Sequence, residues 1–113
     1  MNIQILGTKK SFDSKKAERY FKERGIKYQF IDMKEKGMSK GELQSVCQAV
    51  GGLESLVDKE CKDKDALALI KYIAEEDRME KILENQKVIK LPVVRNGKQA
   101  TAGYVPDIWK NWK

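Results

Sequence analysis

The chain has 113 residues, no histidine and two cysteines, Cys47 and Cys61. Without an imidazole there is no Ser-His or Cys-His nucleophile and no His-bearing metal site, and two thiols alone do not make a structural zinc site. No metal is expected. Cys61 lies beside Lys59 and Lys62, neighbours that favour a thiolate, so it is one candidate redox group. Cys47 shares the spacing of Leu43, Val46 and Val50, one face of a helix, where a cysteine acts as a small buried hydrophobe. Their spacing leaves a Cys47–Cys61 bridge open, although a cytosolic chain keeps its thiols reduced. The third candidate is the cluster Lys9, Lys10, Ser11, Ser14 and Lys15. At a helix N-terminus such hydroxyls and cations can cradle an oxyanion, or the serines can simply cap the helix. Asp13, in their midst, opposes an anion.

The elements that position this cluster open the chain. Asn2 to Leu6 reads as a strand ended by Gly7. Ser11, Asp13 and Ser14 are N-cap types, Ala17, Tyr20 and Phe21 fall at helical spacing, and Gly25 stops the helix. Ile26 to Asp32 alternates as a second strand, and a strand–helix–strand unit implies parallel pairing. Ser39 and Glu42 form a capping box for the helix carrying Leu43, Val46, Cys47 and Val50, which Gly51-Gly52 ends. Leu53, Leu56 and Val57 suggest one more helical turn, and Asp58 to Asp65 a charged connector. Ala66 to Asn85 reads as two helices joined near Ala74 to Asp77, with Leu67, Leu69, Ile70 and Ile73 serving the first. Val88 to Arg95 leads into a hairpin at Asn96-Gly97, and Lys98 to Ala102 returns. Pro106 heads a last helix anchored by Ile108, Trp109 and Trp112.

The order is β-α-β, a helical middle, then β-β-α. It predicts an α/β fold with a thioredoxin-like core and a helical insertion at about 39–87 between the second and third strands, in a single domain spanning 1–113. The length suits one domain.

The net charge of +6 rests on 19 Lys and 4 Arg, interleaved with 17 acids. Readers of nucleic acid favour Arg for bidentate base contacts, so solvated helix faces explain these lysines better than direct readout does. No run of 18 apolar residues suggests a membrane span. The N-terminus lacks a signal peptide's apolar region, and the cytoplasm is the expected location. A monomer is expected.

Several of these segments together resemble the arsenate reductase family, ArsC, and its regulatory relative Spx. Thr8 to Ala17 aligns with the family's nucleophile loop. Leu91-Pro92-Val93-Val94 and Gly103-Tyr104-Val105-Pro106-Asp107-Ile108-Trp109 align with its C-terminal signature. The resemblance covers nearly the whole chain. It implies that Pro92 is cis and sits beside the nucleophile loop, where it would help shape a groove for an extended peptide or a glutathione-like ligand that Tyr104 could also line. Lys9, Lys10, Ser14, Lys15, Leu91 and Pro92 are then the expected ligand-binding residues.

The departures bear on activity. Ser11 stands at the family's nucleophilic cysteine, Lys9 at its loop proline, Leu91 at the arginine before the cis-proline, and Glu60 near a further arginine of the oxyanion clamp. A thiol of pKa ~8.5 supplies some thiolate at neutral pH, and a hydroxyl supplies essentially none. Ser11 marks a degenerate nucleophile position that cannot exchange disulfides. Two functions follow as expectations. One is a non-catalytic, regulatory relative that binds a protein or an oxyanion through the old active-site face, with no bound cofactor. The other is a thiol-dependent oxidoreductase of the arsenate reductase type that uses Cys61, Cys47 or an external thiol such as glutathione.

Overall fold

The computed structural model describes residues 1–112. A four-stranded sheet in the order β2-β1-β3-β4 organises the chain. β1 (Ile3–Gly7) is central, parallel to β2 (Tyr28–Asp32) and antiparallel to β3 (Val93–Asn96), which pairs antiparallel with β4 (Gln99–Ala102). α1 (Phe12–Glu23) makes the crossover between the parallel strands. α2 (Lys40–Val50), α3 (Leu53–Leu56), α4 (Lys64–Tyr72) and α5 (Glu75–Glu84) form the helical middle, followed by a 3₁₀ turn at Gln86–Val88, and α6 (Pro106–Trp109) ends the fold.

The alternation of β1 splits the core in two. Ile3 and Ile5 face α1 and α6, packing with Ala17, Tyr20, Phe21, Val94, Trp109 and Trp112. Trp109 stacks edge-on against Tyr20 and Tyr104, at ring-centroid distances of 5.2 and 5.5 Å. Its buried indole Nε1–H donates to Thr101 Oγ1 at 2.7 Å, so the ring is fixed by packing and by a polar anchor. Leu6 and Val93 turn to the opposite face and join Leu43, Val46, Leu56, Ile70, Ile82 and Ile89 under the insertion. Trp109 and Trp112 are therefore core residues.

Several boundaries differ from the sequence reading for identifiable reasons. β1 runs through Gly7 rather than ending before it, because Gly7 pairs with Asp32 and its carbonyl accepts from Met33 N–H at 2.8 Å. A Cβ on Gly7 would lie 2.2 Å from Ser14 Oγ; the glycine is required by the close approach of α1. β2 begins at Tyr28, not Ile26, because Ile26 N–H is tied to Phe21 O at the end of α1. α4 starts two residues before Ala66, since Asp63 caps it through the Ala66 amide at 3.0 Å. Leu69 is 46 % exposed, and Ala66 takes the expected core place on that face. The hairpin loop is Gly97-Lys98, with Asn96 still paired to Gln99. Gly97 takes φ +61° while, among the described residues, no non-glycine has positive φ, which matches a II′ turn rather than I′.

Candidate functional site

The N-terminus of α1 is built by Ser11. Its own N–H closes a turn onto Thr8 O at 3.2 Å, and its Oγ accepts from Ser14 N–H at 3.1 Å. Lys15 N–H then bonds Ser11 O, the first helical bond. Among the described residues the amides of Phe12 and Asp13 have no acceptor, as the first turn of a helix leaves its donors free.

Facing this end is a groove of about 440 Å³ lined by Ser11, Phe12, Asp13, Asp58, Lys87, Ile89 and Leu91. One bridge, Val57 to Ile89, places the last four. Around it Asp58 N–H donates to Val88 O at 2.7 Å and Lys90 N–H to Leu56 O at 2.8 Å. Leu91 leads into a cis peptide bond to Pro92; Pro92, expected to bind ligand, is buried and does not line the groove. Phe12 is 78 % exposed at the groove's edge.

Among the described residues the charges lining the groove are two carboxylates, Asp13 and Asp58, and one cation, Lys87. Lys87 Nζ lies 2.5 Å from Asp63 Oδ2. That hydrogen bond raises the lysine above its ordinary pKa and holds the Asp63 carboxyl below its own. The one groove cation is thus engaged outside the groove, while Asp13 and Asp58 face it.

Of the expected site residues, Ser11 and Leu91 line the groove. Ser14 does not, which corrects its place in the cradle: it is fully buried, wedged against Gly7, and its Oγ has no hydrogen-bond partner. Lys9 and Lys10 are exposed in the turn before α1 and line no part of the groove. Lys15 turns back over the Phe12 ring, 5.9 Å from its centroid. Tyr104 lies on another side of α1, under Lys16 Nζ at 5.7 Å, and not in the groove. Glu60 is exposed and its N–H donates to Asp58 Oδ1 at 2.9 Å. Cys61 is half-buried beside the insertion core, and its thiol donates to Lys87 O at 3.5 Å. Cys47, expected to be buried, is half-buried, and burial pushes its thiol pKa up. Both thiols are free. Among the described residues no group of three or more Cys, Asp or Glu could hold a metal ion, and no helix is long and apolar enough to cross a membrane.

Phe12, Asp58, Lys87 and Ile89 were not signalled as site residues by the sequence. Phe12 had one available signal, an aromatic placed directly after the N-cap and outside the Ala17, Tyr20, Phe21 stripe.

No protein-family model and no curated protein matches the chain. Solved structures do. An ArsC-family-related protein from Bacteroides fragilis superposes with a TM-score of 0.86 at 20 % identity, over 100 % of this chain and 98 % of that one. An arsenate reductase from Vibrio cholerae gives 0.81 at 22 %, over 96 % and 94 %. The NrdH-redoxin of Escherichia coli, a glutaredoxin-like protein, gives 0.51 at 17 %, over 100 % and 96 %. The fold is thioredoxin-like. In this thioredoxin-like chain the insertion from α2 to α5 supplies one wall of the groove, through Asp58 and the turn before Ile89, and α1 supplies the other.

Proposed function

We propose that the chain is a non-catalytic relative of the arsenate reductases and of Spx-type regulators, and that it binds an extended, basic and apolar segment of a protein partner in the groove at the N-terminus of α1. The observation that carries this is Ser11. The residue at the expected nucleophile position spends its Oγ on the helix cap, and no thiol lines the groove. Disulfide exchange needs an attacking thiolate, which a capping hydroxyl without a histidine does not replace.

The surroundings favour a peptide over an oxyanion. Phe12, Ile89 and Leu91 offer apolar contacts, and Asp13 and Asp58 offer carboxylates to Lys or Arg. The same carboxylates repel an oxyanion, and Lys9, Lys10 and Lys15 stand outside the groove. The test is an amide-resolved NMR titration with a short peptide alternating Leu and Lys, its Leu–Glu counterpart, and arsenate. Expected are shifts at Phe12, Asp13 and Leu91 for the basic peptide alone, weakened by salt and by Asp58→Asn. Saturable arsenate shifts at these amides, or equal binding of both peptides, would overturn the reading.

One observation favours a second reading, a thiol-dependent oxidoreductase with glutathione as co-substrate. Cys61 donates to the backbone carbonyl of Lys87, whose residue lines the groove, so this thiol stands one residue away from the groove lining.

A further inference from the structure

The insertion holds a second cavity, of about 380 Å³, bounded by α3, α4 and the start of α5. Its wall is apolar: Leu53, Val57, Leu67 and Ile70. Its rim carries three cations, Lys59, Lys71 and Arg78, against one acid, Glu54. The Arg78 guanidinium is anchored from behind, where Nη2 donates to Lys71 O at 3.1 Å. Its Nε is buried and has no acceptor. A guanidinium stays charged at any working pH, so Arg78 adds a fixed positive charge to the rim.

We propose that this cavity binds a medium-chain acyl carboxylate. The tail lies among Leu53, Val57, Leu67 and Ile70, and the carboxylate pairs with the cations of the rim, Lys59, Lys71 and Arg78. A wholly polar anion such as phosphate would leave the apolar wall unmatched, and a neutral lipid would leave the three cations of the rim without a counter-charge. The volume is at the low end of ligand pockets, which run ~300–1,000 Å³, and suits a single chain of about eight carbons. Val57 and Lys59 line this cavity while Asp58 between them lines the groove of α1. The two sites therefore lie on opposite sides of one short segment, and the acyl site does not depend on the function proposed for the groove.

The test titrates octanoate into the isotope-labelled full chain at low salt, with octanol and butyrate beside it. Expected are saturable shifts at the amides of Leu67, Ile70, Lys71 and Arg78, and binding about ten-fold tighter than for either control. Arg78→Gln should weaken octanoate by a similar factor while the spectrum stays dispersed. Lys59→Gln, an exposed change that leaves the fold alone, should weaken it less and reduce its salt dependence. The proposal fails if octanoate gives no saturable shifts in the millimolar range, or if octanol binds as well. It fails equally if the shifts fall at Phe12 and Asp13, or if the folded Arg78 and Lys59 variants bind like the parent.

Discussion

If Ser11 is a cap, its removal has a calculable thermodynamic effect that does not depend on any ligand. Ser11→Ala deletes the acceptor of Ser14 N–H, a bond of 3.1 Å at a half-buried position. Replacing an N-cap serine by alanine costs about 1 kcal/mol, within a range of ~0.5–2. With a urea m-value of ~1–3 kcal/mol/M, the midpoint should fall by about 0.3–1 M; the melting temperature should fall by about 4 °C per kcal/mol. Ser11→Gly should cost only a few tenths of a kcal/mol. The assay is urea unfolding followed by tryptophan fluorescence, since Trp109 and Trp112 are both core residues. An alanine variant as stable as the parent, or a glycine variant as damaged as the alanine one, would refute the assignment of Ser11 as a cap.

Gly7→Ala should cost ~1–3 kcal/mol as overpacking, because the new Cβ meets Ser14 Oγ at 2.2 Å and Ser14 Cβ at 2.7 Å; adding Ser14→Gly should recover part of this, and urea midpoints of the four proteins in the cycle measure the coupling. Thr101→Val strands the buried Trp109 N–H and should cost ~1–3 kcal/mol, read by the same unfolding curve. Glu42 has its carboxyl held below the ordinary value, first by the Ser39 backbone N–H and further by Arg95. A depressed folded pKa stabilises above the unfolded carboxylate value and is lost as pH falls through the folded one. The stability advantage of the parent over Glu42→Gln should therefore be full at pH 6 and shrink as pH falls below 4.5, as urea midpoints across that range will record.

What the sequence made legible was local. The Ser39–Glu42 capping box is present in both directions, at 3.2 and 3.0 Å, and Pro106 heads α6. Apolar periods, caps and the Asn96-Gly97 turn located the strands and helices to within a few residues, because each is set by residues a few positions apart. The groove was legible only on its α1 side. Asp58, Lys87 and Ile89 reach it through the Val57–Ile89 bridge, a pairing across thirty-two residues that leaves no periodic trace. Ser14 was misplaced because a serine in a first helical turn reads as a cap or a ligand group; what decides its place is the missing Cβ of Gly7 on the neighbouring strand. Cys61 sits among charges in the sequence, yet its sulfur turns to the insertion core and to Lys87 O, a contact set by tertiary packing.

The account turns on whether this thioredoxin-like groove performs thiol chemistry. The most direct measurement is coupled NADPH oxidation with arsenate or a small disulfide, in glutathione–glutaredoxin and thioredoxin systems, with Cys47→Ala and Cys61→Ala run beside the parent. The account predicts turnover at background in all three proteins and both systems. Turnover by the parent that disappears in Cys61→Ala would contradict it and identify Cys61 as the redox centre.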